Sequence, residues 1–92
     1  MQNLKDIRTK INDIDKEMLD LFIKRMNLSK EVIEYKIKYN LPILDEEREK
    51  EVIKNNLNNL NEKELEKYYL EFIKEIMNIS KEYQLDLKKR SE

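Results

Sequence analysis

An unbroken apolar spacing from Leu4 to Tyr39 constrains this chain more than any other feature. Leu4, Ile7, Ile11, Ile14, Met18, Leu21, Arg25, Leu28, Val32, Tyr35 and Tyr39 follow one another at alternating steps of three and four. That is a heptad seam, one face of a helix that another helix must cover. No Pro or Gly interrupts it. A helix of roughly 36 residues is about 54 Å long, whereas a compact chain of 92 residues would be only about 25 Å across. One chain cannot wrap such a helix by itself, so a partner chain is predicted. Arg25 is the misfit in the seam. A guanidinium cannot lose its proton, so where it is covered it must meet an anion.

The rest of the composition narrows the chemistry. Charged residues make up 42% of the chain, against about 25% in an ordinary domain, and Gly is absent. With strong helix formers throughout, this predicts an all-α, soluble protein of one domain, residues 1–92. A net charge of −1 offers no long-range attraction to nucleic acid or to an anionic membrane. The chain has neither Cys nor His. That excludes disulfides, thiol catalysis, the usual zinc sites and any His-based proton shuttle. No apolar run approaches the roughly 18 residues of a membrane span, and no signal-peptide core is evident, so the expected compartment is the cytoplasm.

Three helices are predicted, one long, one short and one medium, over roughly 4–40, 45–58 and 62–87. Asn3 is placed to cap the first, with Asp6 in its first turn, and Asn40-Leu41-Pro42 ends it. Asp45 is a natural cap for the second, which the Asn-rich run 55–59 should weaken and end. Asn61 and Glu64 resemble a capping box for the third. Its expected apolar seam is Leu65, Tyr69, Phe72, Ile76, Ile79 and Tyr83. The tail 88–92 is polar and expected to fray.

Arginine occurs only at Arg8, Arg25, Arg48 and Arg90, against a large excess of lysine. The few arginines are therefore candidates for tasks that need a planar, forked donor. Arg25 and Lys36 are 11 residues apart, three helical turns to within about 20°, so they project from one side. Arg8 lies 17 residues before Arg25, about 25 Å along the helix. It could share a ligand only with the Arg25 of an antiparallel partner. Ser80 and Gln84 share a face of the third helix, with Ile73 and Met77 above them. Arg48 and Glu49 lie at the start of the second helix, where free N–H groups suit an oxygen-rich ligand. Together these residues suit gripping a small polyanion, and they include no activated nucleophile. Each also has a plainer reading: Arg25 as a specificity device in a coiled coil, Lys36 as a solvated lysine, and the others as helix-surface residues.

The ordered set of Arg8, Arg25, Lys36, Asp45-x-x-Arg48-Glu49 and Ser80-x-x-x-Gln84 resembles the all-helical chorismate mutases (AroQ class, type II) in their short monofunctional form. The matching stretches are Leu4 to Ile11, Ile14-Asp15, Leu21 to Arg25, Lys36, Pro42 to Glu49 and Ser80 to Gln84. The resemblance implies an intertwined homodimer of three-helix chains, the long helices antiparallel, each site borrowing Arg8 from the other chain. It implies conversion of chorismate to prephenate, toward Phe and Tyr, by an intramolecular [3,3] rearrangement with no cofactor and no metal. By the same resemblance Arg8 and Arg25 hold carboxylates, and Lys36 reaches a carboxylate and the ether oxygen. Gln84 donates to that oxygen, Glu49 and the Asp45 backbone receive the ring hydroxyl, and Arg48 and Ser80 complete the polar shell. Lys36, Gln84, Arg25 and Glu49 are the expected catalytic residues. Two alternatives stay open: an isochorismate pyruvate lyase on the same fold, and a non-enzymatic helical dimerisation module.

Overall fold

The structure, a computed structural model, describes residues 3–92. It is all-helical, with no strand among the described residues: α1 (Leu4–Lys38), α2 (Glu46–Asn59), a 3-10 turn (Lys63–Leu65) and α3 (Glu66–Ser91). Among the described residues no helix is long and apolar enough to cross a membrane.

Local chemistry sets most of the boundaries. The Asn3 side chain accepts the Asp6 N–H at 2.9 Å and starts α1. The far end is a Schellman turn. Leu41 N–H donates to Lys36 O at 2.8 Å, Asn40 N–H donates to Ile37 O at 3.3 Å, and Asn40 takes φ 56°. Asn is among the few non-glycine residues that tolerate the left-handed region, and Pro42 then prevents the helix resuming. Asp45 caps α2 as expected, accepting the Arg48 N–H at 3.0 Å.

Three expectations are corrected. The Asn61–Glu64 box does not form: no side chain caps the third segment, and the 3-10 turn closes instead through Leu65 N–H to Glu62 O at 2.9 Å. The third helix is longer than expected, because α3 continues past 87 to Ser91. Lys88, Lys89 and Arg90 sit in its last turn, where cations favour the negative end of the helix. Finally, the expected seam of α3 is not its buried face. Leu65 and Phe72 are exposed, and the buried residues are Ile73, Met77, Ser80 and Gln84.

α3 is the shared partner of the other two helices: α1 packs on α3, α2 packs on α3, and α1 and α2 do not approach each other. The Asn56 amide braces the α2–α3 side, donating to Val52 O at 2.7 Å and accepting the Tyr69 hydroxyl at 2.9 Å. Of α1, only Ser29 and Ile33 are buried. Every residue from Asn3 to Lys24 is exposed. The molecule measures 56 × 26 × 15 Å, with α1 running its full length. The seam residues Ile7, Ile11, Ile14, Met18 and Leu21 stay 43–62% exposed. Covering the part still exposed would be worth about 0.7–1.5 kcal/mol for each side chain, and nothing among the described residues covers it.

Candidate active site

Because α1 and α2 stand apart over α3, a cleft of about 310 Å³ opens between them. That lies at the small end of ligand pockets, which run from about 300 to 1,000 Å³. Its walls carry Arg25, Ser29 and Lys36 from α1, Asp45, Arg48 and Glu49 from the α2 N-terminus, and Ser80, Lys81 and Gln84 from α3. Leu28, Val32, Ile43, Val52 and Met77 give it apolar patches.

The floor is a buried polar network where a helix contact would ordinarily be greasy. Ser29, Ser80 and Gln84 are each no more than 8% exposed. Arg25 Nη1 donates to Ser80 Oγ at 2.6 Å, and Ser29 Oγ donates to the same oxygen at 3.1 Å. Gln84 Nε2 donates to the Ser29 carbonyl at 3.1 Å. A carbonyl can only accept, so this bond fixes which way the amide faces and leaves its second N–H for a ligand. No buried side-chain nitrogen or oxygen among the described residues lacks a partner. Such a network costs stability when half-satisfied and gives rigidity when complete.

The remaining groups are poised at the walls. Lys36 Nζ donates to the Ile43 carbonyl at 2.8 Å, so the turn between α1 and α2 steers the ammonium, which keeps two further N–H bonds. The Asp45 carbonyl accepts the Glu49 N–H at 3.0 Å and retains a second lone pair. Arg48 Nη1 pairs with Glu51 at 2.6 Å, but both side chains are about 60% exposed. Such a pair is weak enough to be exchanged for a ligand anion. Glu49 Oε1 lies 2.7 Å from Lys81 Nζ. Among the described residues no group of His, Cys, Asp or Glu side chains could hold a metal ion.

Arg25, Lys36, Asp45, Arg48, Glu49, Ser80 and Gln84, all singled out in the sequence, thus line one cleft. Arg8 does not. It is exposed on the uncovered half of α1, about 25 Å along the helix from Arg25. Two polar residues were missed. Ser29 had a legible signal, since it follows Arg25 by four residues on the same helical face. Lys81 had none, being one lysine among many.

The profile of the family described as chorismate mutase type II matches residues 7–85. A chorismate mutase of Methanocaldococcus jannaschii is 44% identical over 50 residues, 54% of this chain and 50% of that protein. A bifunctional chorismate mutase/prephenate dehydratase of Aquifex aeolicus is 46% identical over 52 residues, 56% of this chain and 14% of that protein. The T-protein of Haemophilus influenzae is 43% identical over 49 residues, 53% of this chain and 13% of that protein. The chain therefore spans half or less of the length of each of these relatives. No solved structure matches it significantly. With that profile matching most of the sequence, the chain belongs to the chorismate mutase type II family.

Proposed function

We propose that this chain is a chorismate mutase, converting chorismate to prephenate by a [3,3] rearrangement. We further propose that it acts as an intertwined homodimer in which Arg8 of the partner subunit completes each cleft. The observation that carries the reading is the convergence of Arg25, Lys36, Arg48, Glu49, Ser80 and Gln84 on one cleft in a member of this family.

The reaction needs no nucleophile and no cofactor. It needs a flexible dianion held in a chair with its bonding carbons close, and donors aimed at the ether oxygen as negative charge grows there. In the proposed complex, Arg25 and the partner subunit's Arg8 hold the two carboxylates. Lys36 and Gln84 donate to the ether oxygen, and both have N–H groups to spare. Glu49 and the Asp45 carbonyl receive the ring hydroxyl, while Arg48 and Ser80 close the polar shell. A millionfold acceleration requires about 8 kcal/mol of selective stabilisation. Preorganised donors at about 3–4 kcal/mol each, with orientation, reach that figure. The uncovered apolar stripe of α1 supports a second copy as its cover, and the distance of about 25 Å from Arg8 to Arg25 along α1 supports an antiparallel one, which would bring the partner's Arg8 to the cleft.

The direct test is incubation with chorismate while following its ultraviolet loss, then acidification to convert prephenate to phenylpyruvate. Loss of chorismate with phenylpyruvate formed is the expected result. No turnover overturns the assignment.

An amide at position 84 donates at every pH, so that position should impose no pH dependence on kcat/KM between pH 6 and 8. Gln84→Glu should behave otherwise. A carboxyl donates only when protonated; its ordinary pKa is about 4.3, and burial raises it. Activity of the variant should therefore be retained at low pH and lost as pH rises through that shifted value, reaching about a hundredfold below the parent by pH 8. Profiles of kcat/KM that stay parallel for the two proteins would remove Gln84 from the ether oxygen.

A further inference from the structure

Lys81 is a charged side chain on the cleft wall to which the proposed reaction gives no task. Its Nζ lies 2.7 Å from Glu49 Oε1, and the two side chains are only 32% and 28% exposed. The other ion pairs among the described residues, Arg48–Glu51 and Lys50–Glu47, join residues three apart on α2 and are mostly in solvent. Lys81–Glu49 is thus the one ion pair among the described residues that links two helices, and the one most sheltered from water. It also sits where anchoring matters. α2 packs on α3 and on no other helix, so the α2–α3 contact, with the short turn from α1, fixes where the first turn of α2 presents its carboxylate.

We propose that Lys81 is a positioning residue that holds the Glu49 carboxylate by Oε1 and leaves Oε2 to accept a ligand hydroxyl. This rests on the mutase reading, in which Glu49 receives the ring hydroxyl of the substrate. A free glutamate has several rotatable bonds and, at the rim of an open cleft, would turn toward water. A bare carboxylate would also repel a dianionic ligand, and the adjacent ammonium offsets that repulsion. As the ligand displaces water from the cleft, the pair is screened less and holds more tightly.

The test compares kcat and KM for the parent, Lys81→Met, Lys81→Gln, Lys81→Arg, Glu49→Gln and the double variant Glu49→Gln with Lys81→Met, each checked by far-UV circular dichroism. A hydroxyl that does not react is held alike in ground and transition states. Lys81→Met and Lys81→Gln should therefore raise KM about tenfold with kcat within about threefold of the parent. Lys81→Arg, which keeps the charge, should restore KM to within about threefold. In the Glu49→Gln background, Lys81→Met should change KM by less than about twofold, because the partner it acts through is gone. An equal loss in that background overturns the proposal, because Lys81 then touches the ligand itself. A lowered melting temperature with KM unchanged also overturns it, leaving Lys81 as a brace between helices. Absence of turnover by the parent removes the mutase reading and this proposal together, whereas an active parent with unaffected Lys81 variants removes this proposal alone.

Discussion

Replacing Lys36 with alanine is expected to lower kcat/KM about a thousandfold while leaving helix content unchanged. Removing one well-placed donor to a developing oxyanion costs about 10²–10³ in rate, and this donor is charged. A thousandfold loss corresponds to about 4 kcal/mol of transition-state stabilisation. Much of the loss should appear in kcat, because the ether oxygen becomes a strong acceptor only as its bond breaks. The structural cost should be small. The substitution frees one acceptor, the Ile43 carbonyl, on a residue that is only half-buried and can turn to water. The Schellman turn is kept, since it uses the Lys36 backbone and not its side chain. Far-UV circular dichroism and steady-state kinetics on the same sample check both halves. Undiminished kcat/KM would remove Lys36 from the site.

Two inactive variants, Arg8→Ala and Arg25→Ala, should restore activity when unfolded together and refolded as a mixture. Each alone should lose about a hundredfold or more, since each removes a charged contact to a carboxylate. In the proposed pairing every site uses Arg25 of one chain and Arg8 of the other. If chains pair at random, about half the dimers are mixed, and each mixed dimer has one site with both arginines intact. About a quarter of all sites should therefore recover. A single chain cannot produce this outcome, because its Arg8 stands about 25 Å from its Arg25 along a rigid helix. Failure to recover activity, with both variants folded, would mean that Arg8 does not act across chains.

The seam of α1 was legible because its spacing is long and uninterrupted, yet apolar periodicity reports which side chains want cover and not what supplies it. Within the chain, α3 covers Ser29 and Ile33, beside the seam and not on it. The buried face of α3 was misread for a related reason. Leu65, Tyr69, Phe72, Ile76, Ile79 and Tyr83 form its more apolar stripe, so periodicity favours them. The face turned to α1 instead carries Ser80 and Gln84, whose burial is affordable only because Arg25 and Ser29 satisfy them. That arrangement needs two helices at once and is invisible in either alone. The residues of the cleft were legible where a charge stood out of place, as with Arg25, or where spacing set it on a shared face, as with Lys36. Lys81 stood in a lysine-rich background and gave no such contrast. The capping box at Asn61 failed although its residues were suitable, because the chain there closes a 3-10 turn through backbone bonds alone.

The bare apolar flank along the front half of α1 has a thermodynamic corollary. When a large share of the water-avoiding surface can be hidden only by a second molecule, folding and encounter become one bimolecular event. In the proposed homodimer, no free energy of unfolding can then be assigned without naming the concentration of chains, and dilution should act on it as a denaturant.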